Sequence, residues 1–96
     1  RADRQYRQLY SIKSKSVSVS INVQGQNLDE ARENVDKYLD DAFMAHLNEV
    51  TIIHGKGEGV LKKGINEMLK NHRHVSEYRK GGYNEGGDGV TVVKLK

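Results

Sequence analysis

Ninety-six residues with 35% apolar content allow one small domain with a modest core. The chain has no cysteine and no apolar run near the ~20 residues that cross a bilayer, which excludes disulfides, thiolate metal sites, thiol nucleophiles and a helical membrane span, and leads us to expect a cytoplasmic protein. The net charge of +3 is uneven: Arg1, Arg4, Arg7, Lys13 and Lys15 against Asp3 leave +4 on residues 1–16 and −1 on everything after them, so any anion-binding face beyond the arm must be made locally.

Residues 1–15 read as a basic linker or arm, disordered or partly helical, ahead of a domain spanning residues 16–96. The chain starts at arginine and reads as a piece of a longer protein. Over residues 16–23, Val17, Val19, Ile21 and Val23 alternate with Ser18, Ser20 and Asn22, which predicts a strand with one wet face. Gly25 breaks that pattern. Asn27 is placed to cap a helix with Glu30 as its capping-box partner, and Leu28, Ala31, Val35, Leu39, Ala42, Phe43 and Leu47 carry the helical spacing over residues 28–47. Asp29, Glu33, Asp36 and Asp40 on the other side read as a solvated acidic stripe.

A second strand over residues 50–53 leads into a second helix with Val60, Leu61, Ile65, Met68 and Leu69 on its buried side. Gly64 interrupts that side, which suggests close approach of another element. Strands follow over residues 75–79 and 90–95. Between them residues 80–89 hold five of the ten glycines, a connection long enough to be mobile or shaped to a ligand. The order β-α-β-α-β-β with right-handed crossovers gives an α/β two-layer sandwich: a four-stranded mixed sheet, two helices on one face, and Ser18, Ser20 and Asn22 on the other.

The segment with most chemical content is His54-Gly55-Lys56-Gly57-Glu58-Gly59, between the second strand and the second helix. It is neither a P-loop, which needs Gly-Lys followed by Ser or Thr, nor a dinucleotide fingerprint, whose third glycine falls elsewhere. It is an amide-rich turn at a helix N-terminus with a mobile lysine, suited to a phosphodiester. His54 sits beside it, where an imidazole could donate to a phosphoryl oxygen or move a proton. His46, His72 and His74 read as structural, His72 facing the C-terminal end of the second helix dipole.

Ile53-His54-Gly55-Lys56-Gly57, the preceding Asp40-Asp41-Ala42 and the closing Asn84-Glu85-Gly86-Gly87-Asp88-Gly89-Val90-Thr91-Val92 together resemble the Smr (small MutS-related) domain, nearest the form that ends bacterial MutS paralogues of the second type. The resemblance covers residues 17–95. It implies a fold similar to the C-terminal domain of translation initiation factor three. It also implies a nucleic-acid-directed domain with nicking endonuclease activity, in recombination control or in RNA and ribosome quality control. Partners would be DNA, branched or not, or structured RNA or the ribosome. ATP would bind only in portions outside this chain, through which the longer protein would also dimerise, and Mg or Mn could assist cleavage.

Where the family's first strand commonly carries an aspartate and then an arginine or histidine, this chain has Asn22 and Gln24. The expected catalytic set is His54, Asn22 and Gln24. The expected nucleic-acid contacts are Gly55, Lys56, Gly57, Gly59, Lys62, Lys63, Asn84, Glu85, Gly86 and Gly87, with no resident metal ligand. An amide serves poorly as acid or base, and losing one positioned charge commonly costs ~10²–10³ in rate. Two alternatives stay open: a nuclease, and a binding module of weak or absent catalytic power. A protein–protein adaptor has no specific residue behind it.

Overall fold

The computed structural model describes residues 17–96, so the basic arm lies outside the described residues. The elements are β1 (Ser20–Asn22), α1 (Leu28–Met44), β2 (Glu49–Ile53), α2 (Val60–Lys70), β3 (Val75–Lys80) and β4 (Val90–Leu95). They form a four-stranded sheet in the order β1-β2-β4-β3, with β1 parallel to β2 and the other neighbours antiparallel. The predicted two-layer order holds, and both helices cover one face. Ala31, Val35, Leu39 and Ala42 of α1 and Ile65 and Leu69 of α2 meet Val50, Ile52, Val93 and Leu95 of the sheet in one core. The second face carries the row Ser20, Thr51, Val92 and Arg79, aligned by strand register.

β1 is shorter than the alternation predicts. Among the described residues it is an edge strand paired with β2, and Val19, just before it, has 64% of its surface exposed while Val23 is completely covered. The Tyr38 hydroxyl donates to the Ser18 carbonyl and ties this lead-in to α1; burial pushes that phenol up to about 12.

At the start of α1, the Asn27 side-chain oxygen accepts from the Glu30 amide at 2.8 Å, the expected N-cap. The helix ends at Met44, three residues before Leu47. His46 takes φ 62°, its amide donates to Phe43 O at 3.0 Å, and Leu47 N donates to Ala42 O at 3.1 Å. That pair of bonds is a Schellman closure, which folds Leu47 back onto the core. The apolar period thus runs past the helix because Leu47 is packed from a turn. Gly64 admits the close approach its position suggests, since a Cβ there would collide with the Leu28 side chain of α1.

The acidic stripe is only partly solvated. Asp36 Oδ1 accepts from His72 Nε2 at 2.7 Å, and Asp40 takes the Arg73 guanidinium at 2.8 and 3.0 Å and His74 Nε2 at 3.0 Å. His72 is therefore buried against α1, and its expected role of facing the α2 dipole is replaced by this pair.

The difference between the two valines is measurable. Val23→Ala should destabilise the domain by about 2 kcal/mol, from two lost methyl groups and the space they leave, whereas Val19→Ala should change stability by less than about 0.5 kcal/mol. Urea denaturation of both variants checks this.

Candidate functional site

β2 alternates Val50, Ile52 and then His54 toward the helices, and strand parity carries the imidazole inward, leaving His54 5% exposed. Nδ1 donates to the Gly55 carbonyl at 2.9 Å, and Nε2 lies 2.9 Å from Thr91 Oγ1. Thr91, on β4 and 1% exposed, in turn lies 3.0 Å from Asn66 Oδ1 on α2. A chain of three side chains thus joins the end of β2 to β4 and α2. Backbone bonds reinforce it: His54 N and Gly55 N both donate to Gly89 O, at 3.1 and 2.9 Å.

The turn beyond His54 is built from glycines at 55, 57 and 59 with φ of 78°, 34° and 84°. Gly55 is favoured by that left-handed backbone, and a Cβ there would lie 2.9 Å from Gln24 Nε2, the mobile end of an exposed side chain that would have to shift. Gln24 is itself placed by Asn22, whose Oδ1 accepts from the Gln24 amide at 2.9 Å. Gly59 caps α2 without a side-chain hydrogen bond, and the first intrahelical bond is Lys63 N to Gly59 O at 2.9 Å. The amides of Val60, Leu61 and Lys62 therefore have no partner within the helix. They border a cleft of about 380 Å³ lined by Gln24, Gly25 and residues 54–62.

Lys56 and Lys62 supply cations to this cleft and Glu58 is its single carboxylate. Asp88, at the end of the glycine-rich connection, lies 3.2 Å from Lys80 Nζ and 3.8 Å from Lys62 Nζ. The Lys80 hydrogen bond, helped by the charges of Lys80, Lys62 and Lys56, holds its carboxyl below the usual range.

With this geometry in hand, the comparisons with known proteins converge. The Smr domain model matches residues 21–96. The chain belongs to the Smr domain family. It is 59% identical over 86 residues to Endonuclease MutS2 of Clostridium novyi (strain NT), an alignment covering 90% of this chain and 11% of that protein. Against Endonuclease MutS2 of Clostridium botulinum (strain Eklund 17B / Type B) it is 62% identical over 76 residues, 79% of this chain and 10% of that protein. This chain thus spans about a tenth of the length of these relatives. Among solved structures, the Smr domain of Thermus thermophilus MutS2 superposes with TM-score 0.79 at 35% identity, covering 80% of this chain and 96% of that one. The stand-alone small MutS-related protein YdaL from Escherichia coli gives 0.77 at 27% identity, covering 81% and 64%.

Within this Smr domain, the expected contact residues divide. Gln24, His54, Gly55, Lys56, Gly57, Gly59 and Lys62 gather at the cleft. Lys63 is exposed but does not line it, nor do Asn84, Glu85, Gly86 and Gly87. Asn22 acts on the cleft only through Gln24. The glycine-rich connection is ordered by two short 3-10 turns, Tyr83–Glu85 and Gly87–Gly89. Glu85 receives the Arg79 fork at 2.7 and 2.9 Å and the Gly82 amide at 2.8 Å. Those bonds, the Arg79 fork first, hold the Glu85 carboxyl down to about 2.

Thr91, Asn66, Gly89, Glu58 and Asp88 are the site residues that sequence reasoning missed. The parity of Val50, Ile52 and His54 was the available signal, since an inward histidine on a strand needs buried polar partners. As to Mg or Mn, a hard divalent ion is held through one or two carboxylates plus substrate phosphates. Glu58 would be the protein ligand in such an arrangement, and the ion would supply neutralising charge to the phosphate.

Thr91→Val keeps the side-chain shape but strips the bridge between His54 and Asn66. It should cost about 1–3 kcal/mol, and Thr91→Ser should recover most of it, as measured by urea denaturation. For Glu85 the folded-state value is depressed, so its ion pair contributes above about 4.5 and is lost as pH falls toward about 2. An NMR titration should find the Glu85 carboxyl changing near 2, with the Gly82 amide losing protection over the same interval.

Proposed function

We propose that this domain holds a nucleic-acid backbone in the cleft at the start of α2, as the substrate-seating part of an endonuclease. The observation that carries the reading is the uncapped helix N-terminus, whose free amides face the same cleft as Lys56, Lys62 and the Gln24 amide. A phosphodiester fits there because helix-end amides and lysine ammonium groups both favour an anion, and neither depends on base identity. Double-stranded DNA and structured RNA share that chemistry. The relatives' name, Endonuclease MutS2, supports a nuclease context.

A second reading, cleavage within this cleft, rests on that name and on Glu58. Asn22 and Gln24 are amides and serve poorly as acid or base, and the ring nitrogens of His54 lie 2.9 Å from Gly55 O and from Thr91 Oγ1. In this reading His54 holds the turn in shape, the amides and Lys56 stabilise charge on the phosphorane, and Glu58, exposed on the cleft wall, accepts the proton of the attacking water.

Two measurements test these readings. In fluorescence-anisotropy titrations of a labelled duplex at several salt concentrations, Lys56→Ala should weaken binding and reduce the slope of log affinity against log salt by about one. An unchanged slope would remove Lys56 from the backbone contact. In a supercoiled-plasmid assay, Glu58→Gln should lower nicking by roughly 10²-fold or more while leaving duplex affinity intact. Nicking unaffected by that substitution rules out Glu58 as the base.

A further inference from the structure

Tyr83 is 99% exposed, a large aromatic that buries nothing within its own domain. Its backbone is firmly held nonetheless. The 3-10 turn that carries it is closed by Glu85 N donating to Gly82 O at 2.9 Å and by the Glu85 carboxylate accepting from Gly82 N at 2.8 Å. Arg79 clamps the same carboxylate from β3, and Gly81 packs so tightly that a Cβ would collide with Val90. Tyr83 is thus an aromatic plane presented on a rigid mount, a costly arrangement for a side chain that buries almost none of its surface against the described residues.

Its position relative to the cleft follows from the sheet. Gly81 N donates to Val90 O, and Val90 pairs with Ile53, the residue before His54. Gly81, two residues before Tyr83, therefore stands about two strand spacings, on the order of 10 Å, from the end of β2, and Tyr83 follows just beyond the strand ends. Lys62 and Lys80, joined through Asp88, occupy the interval. A backbone seated at Lys56 and continuing along these lysines would carry its next bases toward the tyrosine.

We propose that Tyr83 is a stacking platform for an unpaired base adjoining the gripped backbone, so that the preferred ligand contains a single-stranded segment next to a duplex. The inference rests on the cleft reading given above. A paired base has both faces occupied by its neighbours in the helix, while an unpaired one offers a free π-face to an aromatic ring irrespective of sequence.

The test uses the 96-residue chain with two labelled DNA ligands, a blunt duplex and the same duplex bearing a single-stranded tail. Native protein should bind the tailed ligand more tightly. Tyr83→Ala should lose roughly tenfold on the tailed ligand and little on the blunt one, whereas Tyr83→Phe and Tyr83→Trp should keep the preference, because the ring and not the hydroxyl does the stacking. Thermal melts serve as the folding control, and an exposed residue should leave them unchanged. If Tyr83→Ala binds the tailed duplex like native protein, or loses equally on both ligands, while Lys56→Ala still weakens both, the stacking role is overturned and the cleft reading survives. If Lys56→Ala affects neither ligand, the cleft reading fails and the stacking proposal fails with it.

Discussion

The Gly89 carbonyl accepts from two consecutive amides, those of His54 and Gly55, and the geometry of the site depends on that fork. It uses both lone pairs of one oxygen to stop β2 at a defined residue against the first residues of β4. The turn that follows leaves past the Gln24 side chain through a left-handed residue, a backbone that glycine adopts most readily. The imidazole contact to Thr91 then secures the same junction from the side-chain layer. Each of these bonds lies within the sheet or just beneath it, so the cleft inherits the rigidity of the core and not that of a surface loop. The backbone amides at the start of α2 that border it have their direction set by φ and ψ rather than by rotamers.

Much of this architecture was legible in the residues, and the exceptions have physical causes. The element order, the Asn27 cap and the identity of the cleft turn were readable because local chemistry dictates them. The end of α1 was not, because Leu47 keeps the apolar period while packing from a Schellman turn that His46 closes without glycine or asparagine. β1 was overextended because alternation reports which way side chains point, and says nothing of where strand pairing begins at a sheet edge. The glycine-rich connection looked mobile or shaped to a ligand from its composition, yet its order comes from Arg79 reaching Glu85, a pairing that no composition records. The burial of His54 could have been read from the period of two, but the glycines after it drew attention to the turn instead.

Charge at the cleft is a local matter, since residues 17–96 sum to −1. Asp88 stands among lysines and partly cancels their field. Its contact with Lys62, at 3.8 Å between two partly exposed side chains, is of the kind worth about 0–1 kcal/mol, so that ammonium is only loosely held. One carboxylate oxygen of Asp88 thus draws Lys62 and Lys80 toward each other, and such exposed pairs weaken as salt rises.

At the opposite end of the molecule the same residue types serve a different purpose. Asp36, Asp40 and His72 bring three potential metal ligands within 4.8 Å of one another. Their hydrogen bonds argue for a brace. His72 Nδ1 accepts from the His74 amide at 3.2 Å, which leaves the ring hydrogen on Nε2, directed at Asp36. A cation bound at Nε2 would force that hydrogen onto Nδ1, against the His74 N–H, and the Arg73 fork already fills Asp40. The group therefore joins α1 to the segment between α2 and β3 by neutral and charged hydrogen bonds, and Phe43 stacked on His74 at 4.0 Å extends the join. With that end cross-braced by side chains, the α1–α2 layer is held in place without any contribution from the cleft turn, which leaves the glycines there free to be chosen for the shape they give the backbone.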